Sequence, residues 1–205
     1  RTDWAATTPE GESALMESAR TFSADCVAEM GDPEILPYLG TDQAVEDLES
    51  FRQAMGDEKI WLYGESYGTQ YSQTYAAAHP DHLAALVLDG TVDLTLSGVD
   101  FYEGQARAFS NTLQLTLEAC NADDFCAESM GGGDAVAAYN KLAEHLNQSP
   151  IEFDFPLPSS GTARRAFTFA DLETSAASYM YSESARMIFL RALASYSRNE
   201  DLILM

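Results

Sequence analysis

Lysine is nearly missing from these 205 residues: Lys59 and Lys141 are the only two among 11 basic side chains. Set against 33 acidic residues, those bases leave a formal net charge of −22. A field of that sign repels phosphate backbones and anionic headgroups, which excludes nucleic acid as a partner. An acidic, lysine-poor surface also stays hydrated in salt, so a halophilic or marine source stands beside plain solubility as its explanation. Long apolar runs are missing too. The best candidates, such as residues 84–88, fall far short of the roughly 20 residues of a membrane-spanning helix, and no membrane association is expected. Cysteine is scarce, and Cys26, Cys120 and Cys126 make no short C-x-x-C spacing. They build no zinc pattern with His79, His82 or His145, so no metal is expected. Arg1 opens the chain with neither methionine nor an apolar targeting stretch, and the N-terminus is expected to have been removed or to lie outside these residues. What is present is a 46% hydrophobic content, enough for a packed core and too much for a disordered chain.

Periodicity divides the chain in two. Leu15, Phe22, Cys26 and Met30 recur at roughly helical spacing, followed by a loop marked by Gly31, Pro33, Pro37 and Gly40. From residue 41 the pattern predicts a helix capped by Thr41 or Asp42, with an apolar stripe of Val45, Leu48, Phe51 and Met55 and Gly56 in the left-handed position past its end. Residues 59–63 and 83–88 read as strands buried on both faces of a parallel sheet. Between them residues 67–78 form a helix closed by His79 and Pro80. That alternation means an α/β fold with a parallel sheet. Beyond residue 98 the pattern turns helical. Tyr102, Ala106, Phe109, Leu113, Leu117 and Cys120 share one face, and Val136, Tyr139, Leu142 and Leu146 another. Turns are expected at 131–133 and across 149–161, which holds three prolines, and further helices over 171–180 and 183–197. The reading is a portion of an α/β core over 1–98 and a mostly helical insertion over 99–205, with no internal repeat.

One motif carries chemistry. Gly64-Glu65-Ser66-Tyr67-Gly68 fits G-x-S-x-G between a predicted strand and a predicted helix. There a serine hydroxyl projects from a tight turn that Gly64 and Gly68 leave room for, and the helix beginning at Tyr67 points N–H groups and the positive end of its dipole at the reacting centre. Ser66 is the candidate nucleophile and the Tyr67 N–H the candidate oxyanion donor. The plain alternative is a tight turn with Ser66 as a helix cap.

Around this motif the chain resembles the α/β-hydrolase serine exopeptidases, the family of tripeptidyl aminopeptidases and proline iminopeptidase-like enzymes. The likeness runs over residues 38–92. It is carried by Thr41-Asp42-Gln43-Ala44-Val45-Glu46-Asp47-Leu48-Glu49 with Arg52 and Gly56, by Leu62-Tyr63 and the serine motif through Thr69, by His79-Pro80, and by Val87-Leu88-Asp89-Gly90. The resemblance implies Ser66 as nucleophile, Tyr67 as oxyanion donor, the segment after 98 as a cap over the substrate pocket, and no cofactor. Cys120 and Cys126 are similar to a cysteine pair in such caps. A bridge between them would accompany a secreted or periplasmic location, and two reduced cysteines a cytoplasmic one. Some relatives act on esters, so the substrate is a peptide N-terminus or, alternatively, a carboxylic ester. A non-catalytic binding protein that keeps the serine turn is a further alternative.

The family order of serine, acid, histidine requires the base to follow Ser66. His79 and His82 lie at the far end of the intervening helix, about 18 Å or more away at 1.5 Å per residue. His145 falls beside a cap-helix stripe. The acid and the histidine are therefore expected outside this chain, which reads as an internal piece of a larger enzyme, an expectation the apolar ending 202–205 supports. Glu65 can help hold a substrate's α-ammonium group, although a solvated or hydrogen-bonded glutamate is the commoner role. Asp89 and Asp93 read as turn and cap residues rather than the triad acid. Cys26 is either a buried thiol or the partner of a cysteine elsewhere. The Asn147-Gln148-Ser149 glycosylation pattern, followed by Pro150, is set aside.

Overall fold

A computed structural model describes residues 8–131, 133–158 and 160–202. Arg1, Gly132 of the expected 131–133 turn, Ser159 and the apolar ending 203–205 lie outside the described residues. The chain divides into two compact units, Arg20–Phe101 and a second made of Arg1–Ala19 with Tyr102–Met205. Helix α1, Pro9–Glu29, buries none of its residues, so its apolar positions stay open and Phe22 is 71% exposed. Cys26 on this helix is a free, exposed thiol, which corrects the expectation of burial.

In the unit Arg20–Phe101, a 3-10 turn over Pro33–Tyr38 leads into α2, Thr41–Met55. Gly40, not Thr41 or Asp42, stands at the N-cap, and its carbonyl accepts the Ala44 N–H at 3.1 Å. Gly56 ends the helix at φ 74°, the left-handed position anticipated for it. The inner face of α2 departs from the expected stripe. Val45, Glu49 and Arg52 are buried, whereas Phe51 and Met55 are 60% and 61% exposed. Residues 45, 49 and 52 follow the i, i+4, i+7 spacing of one helical face, and mutual neutralisation lets the charged pair occupy it.

Strands β1, Ile60–Glu65, and β2, Leu83–Asp89, pair in parallel, with Gly64 opposite Leu88 and Glu65 opposite Asp89. They are joined by α3, Tyr67–Ala78, which His79 closes before a 3-10 turn at Pro80–His82. Burial on both faces of these strands was expected, and the structure corrects it. Trp61, Tyr63 and Val87 are 80%, 62% and 55% exposed on one side, while α3 covers the other. Among the described residues α3 packs on one face of this two-stranded sheet and the residues of the other face stay exposed. Two tyrosines tie α2 to α3: Tyr71 Oη donates to the Ala44 carbonyl at 2.6 Å, and Tyr75 Oη donates to Glu49 at 2.9 Å.

The second unit contains most of α4, Gly98–Ala122, then α5, Asp124–Ser129, and α6, Ala135–Gln148. After them come β3, Ile151–Pro156, β4, Thr162–Phe167, α7, Phe169–Tyr179, and α8, Glu183–Asn199. Its core gathers Leu117, Leu142, Leu172, Phe189 and Leu193, all under 3% exposed. Strand β3 lies where a run of turns was expected, and it pairs antiparallel with β4 just beyond that segment. Ile151, Phe153 and Phe155 alternate with Glu152 and Asp154, the period of a half-buried strand, and Pro156 closes the strand rather than breaking it. Arg165 lies 4.0 Å over the Phe155 ring. Cys120 and Cys126 are joined by a disulfide that links the end of α4 to α5. Among the described residues no helix is long and apolar enough to cross a membrane.

Candidate active site

Ser66 sits alone between β1 and α3 with φ 53° and ψ −122°, a backbone conformation that costs an L-residue on the order of 1–3 kcal/mol. Its side chain is exposed at the carboxyl end of the strand. The crowding that forces the turn is local to one glycine. A Cβ at Gly64 would meet the Gly68 carbonyl oxygen at 2.4 Å and Ser72 Oγ at 2.7 Å. The expectation that both glycines provide room is corrected at Gly68, where a Cβ would meet nothing within 4 Å. Gly64→Ala is accordingly expected to cost about 1–3 kcal/mol through overpacking. The check is a lowered midpoint of thermal unfolding, with Gly68→Ala as the milder comparison.

Tyr67 opens α3, where its N–H has no helical acceptor and is available to an oxyanion beside Ser66. Its hydroxyl lies 2.7 Å from Thr41 Oγ1, which ties the start of α3 to the start of α2. Glu65 is exposed at the last position of β1, in register with Asp89. Asp89 accepts the Tyr63 hydroxyl at 2.9 Å, and its carbonyl accepts the Ser66 N–H at 3.0 Å. The hydrogen bond to Asp89 raises the Tyr63 phenol above its ordinary value, with desolvation and the nearby Glu65 charge adding to it. Asp93 accepts both the N–H and the hydroxyl of Thr95, at 2.9 and 2.6 Å, and Thr95 holds its carboxyl below the usual range. Each of these aspartates thus has a structural partner of its own.

Two of the histidines, His79 and His82, fall away from the serine turn within the unit Arg20–Phe101. His79 and His82 close the opposite end of α3, their rings stacked 5.8 Å apart. His79 Nε2 is 3.1 Å from Glu46 Oε1, and His82 Nδ1 is 3.1 Å from Glu49 Oε1. His145 is exposed on α6, with Nδ1 3.3 Å from the Tyr196 hydroxyl. Glu49, His79 and His82 each bring one ligand atom within 4.8 Å of the others. The fit to a cation is nonetheless poor. Glu49 Oε1 accepts from Arg52 at 2.6 Å and Gln53 at 2.9 Å, while Oε2 accepts from Arg52 and Tyr75, both at 2.9 Å. A divalent ion would have to displace these donors beside a guanidinium, and two imidazoles alone fall short of the three protein ligands of a zinc site. Sequence reading missed this network because it ranked the face of α2 by hydrophobicity. The spacing of Glu49 and Arg52 from Val45 was the available signal.

A recess of about 1190 Å³ lies in the second unit between α4, α5 and α8.

A family model described as alpha/beta hydrolase fold matches residues 21–148, more than half of the chain. The serine protease Hip1 of Mycobacterium tuberculosis is 30% identical over 137 residues, covering 67% of this chain and 26% of that protein. The tripeptidyl aminopeptidase of Streptomyces lividans is 35% identical over 75 residues, 37% of this chain and 14% of that protein. Carboxylesterase B of Mycobacterium tuberculosis is 27% identical over 193 residues, 94% of this chain and 35% of that protein. The chain therefore spans between 14% and 35% of the length of these relatives.

Proposed function

The chain belongs to the α/β-hydrolase family, and from that premise we propose that Ser66 is the nucleophile of a serine hydrolase that removes residues from peptide N-termini. The observation that carries this reading is the strained, solvent-facing Ser66 at the junction of β1 and α3. Its hydroxyl attacks the scissile carbonyl while the Tyr67 N–H receives the developing oxyanion. A histidine takes the serine's proton as the bond to the carbonyl forms and passes it to the departing amine; water, deprotonated by the same histidine, then releases the acyl group and the proton returns to the serine. That histidine and its orienting acid belong to polypeptide outside these 205 residues, since His79 and His82 lie at the wrong end of α3 and His145 pairs with Tyr196. Residues 99–205 serve as the cap that shapes the substrate pocket, and Glu65 helps to hold the substrate's α-ammonium group. The Cys120–Cys126 bridge favours a location outside the cytosol. An esterase reading is the alternative, supported by the carboxylesterase relative that spans 94% of the chain.

Labelling of the full-length protein with a fluorophosphonate probe, followed by peptide mass mapping, tests the reading. Ser66 is expected to carry the phosphonyl group. An intact, folded protein left unlabelled would point to the non-catalytic alternative. Relative kcat/KM on an amino-terminal tripeptide amide and a short p-nitrophenyl ester then separates peptidase from esterase.

A further inference from the structure

We propose that Thr69 is a positioning residue, whose side-chain hydroxyl staples the serine turn to the segment after β2 and so holds Ser66 in the orientation that attack requires. The proposal rests on Ser66 being the nucleophile.

Thr69 is completely buried, at 0% exposure, in the first turn of α3. Its hydroxyl is used in both directions. Oγ1 donates to the Ser66 carbonyl at 2.7 Å and accepts the Val92 N–H at 2.9 Å. The Thr69 N–H also reaches the Ser66 carbonyl, at 2.9 Å. Gln73, one turn further along α3, reinforces the same joint, its Nε2 donating to the Thr69 carbonyl at 3.1 Å and to the Val92 carbonyl at 3.0 Å. On the other side of the serine, its own N–H bonds the Asp89 carbonyl at 3.0 Å. Both backbone polar groups of Ser66 are therefore held, one by β2 and one by a side chain that is itself held by the strand's continuation.

A strained φ persists only where its surroundings over-determine it. Without the hydroxyl, one anchor of the Ser66 carbonyl and the side-chain acceptor of the Val92 N–H disappear together, and the turn is free to relax toward ordinary dihedrals. A nucleophile displaced by about 1 Å loses on the order of 100-fold in rate. Threonine and serine can both make the two bonds, whereas valine fills threonine's volume and makes neither.

The test uses the full-length enzyme and its T69V and T69S variants. Three quantities are measured: the rate constant for fluorophosphonate labelling, kcat and KM for one substrate, and the thermal midpoint. In T69V, labelling rate and kcat are expected to fall together by about 10- to 100-fold, with KM changed by less than about threefold. T69S is expected to stay within about threefold of the parent on all three. A merely structural role would lower the midpoint without this split between kcat and KM. If T69V cannot be recovered folded, T69A, smaller and equally without a hydroxyl, carries the same readout. Parental kcat in T69V overturns the proposal, and so does a T69S variant as slow as T69V, since packing of the methyl group would then be the cause. A parent that is not labelled at Ser66 defeats the nucleophile assignment itself, a result distinct from either of these.

Discussion

Replacing Ser66 with alanine in the full-length enzyme is expected to lower kcat/KM by at least about 10,000-fold on peptide and ester substrates alike, the scale seen when a triad nucleophile is removed. Alanine removes the oxygen proposed to attack and little else. The side chain is exposed, so no cavity opens, and the backbone bonds of residue 66 to Asp89 and Thr69 do not depend on its Oγ. The thermal midpoint of S66A should therefore match the parent's, which separates lost chemistry from lost folding. Kinetics on purified S66A, beside circular-dichroism melting, make the check. Residual activity above about one hundredth of the parent's would place the nucleophile elsewhere.

The largest expected effect on stability comes from Arg52. Its guanidinium grips both oxygens of Glu49, at 2.6 and 2.9 Å, and also donates to the carbonyls of Asp57 and Glu58 just before β1. Arg52→Met leaves Glu49, 5% exposed, as a buried carboxylate without its counter-charge. An uncompensated buried charge is among the most damaging of single changes, and a drop of roughly 10 °C in thermal midpoint is expected. The double variant Glu49→Leu with Arg52→Met should recover much of that loss, because it removes the stranded charge. The pH dependence follows from the same contact. Hydrogen bonds from Arg52, then from Gln53 and Tyr75, hold the Glu49 carboxyl well below its ordinary value of 4.5 despite its burial. A depressed carboxyl contributes stability that is complete above the unfolded value and declines as pH falls through the acid range toward the folded one. The stability gap between the parent and Glu49→Gln should therefore be widest near neutral pH and narrow below about pH 4.5. A gap that stays constant from pH 7 to pH 3 would mean that the charge on Glu49 contributes nothing to folding.

What could be read from the linear chain was whatever is decided within a few residues. Gly56 past the end of α2, the apolar triplet of β1 and the closure of α3 by His79 and Pro80 are local signals, and the structure places those elements within a few residues of their expected bounds. The serine turn is legible for the same reason, since Gly64 and the strand-to-helix change sit inside one short motif. Contacts distant in sequence were not legible. Nothing in the sequence singles out Thr69 as the acceptor of the Val92 N–H, 23 residues away, or Tyr75 as a donor to Glu49, 26 residues away. The hairpin β3–β4 was hidden differently: Pro150, Pro156 and Pro158 read as turn punctuation and outweighed the alternation of Ile151, Phe153 and Phe155. Helix α5 was lost to its brevity, six residues begun by the Asp123 cap.

The positive φ of Ser66 has an evolutionary side. Glycine adopts that dihedral freely, so the substitution that best relaxes the turn is the one that deletes the hydroxyl. Selection for heat resistance alone would push position 66 toward glycine; if Ser66 is the nucleophile, selection for turnover opposes that drift. In a copy of this gene released from the need to hydrolyse anything, residue 66 should be among the first to drift, and the protein it encodes should become sturdier as it falls silent.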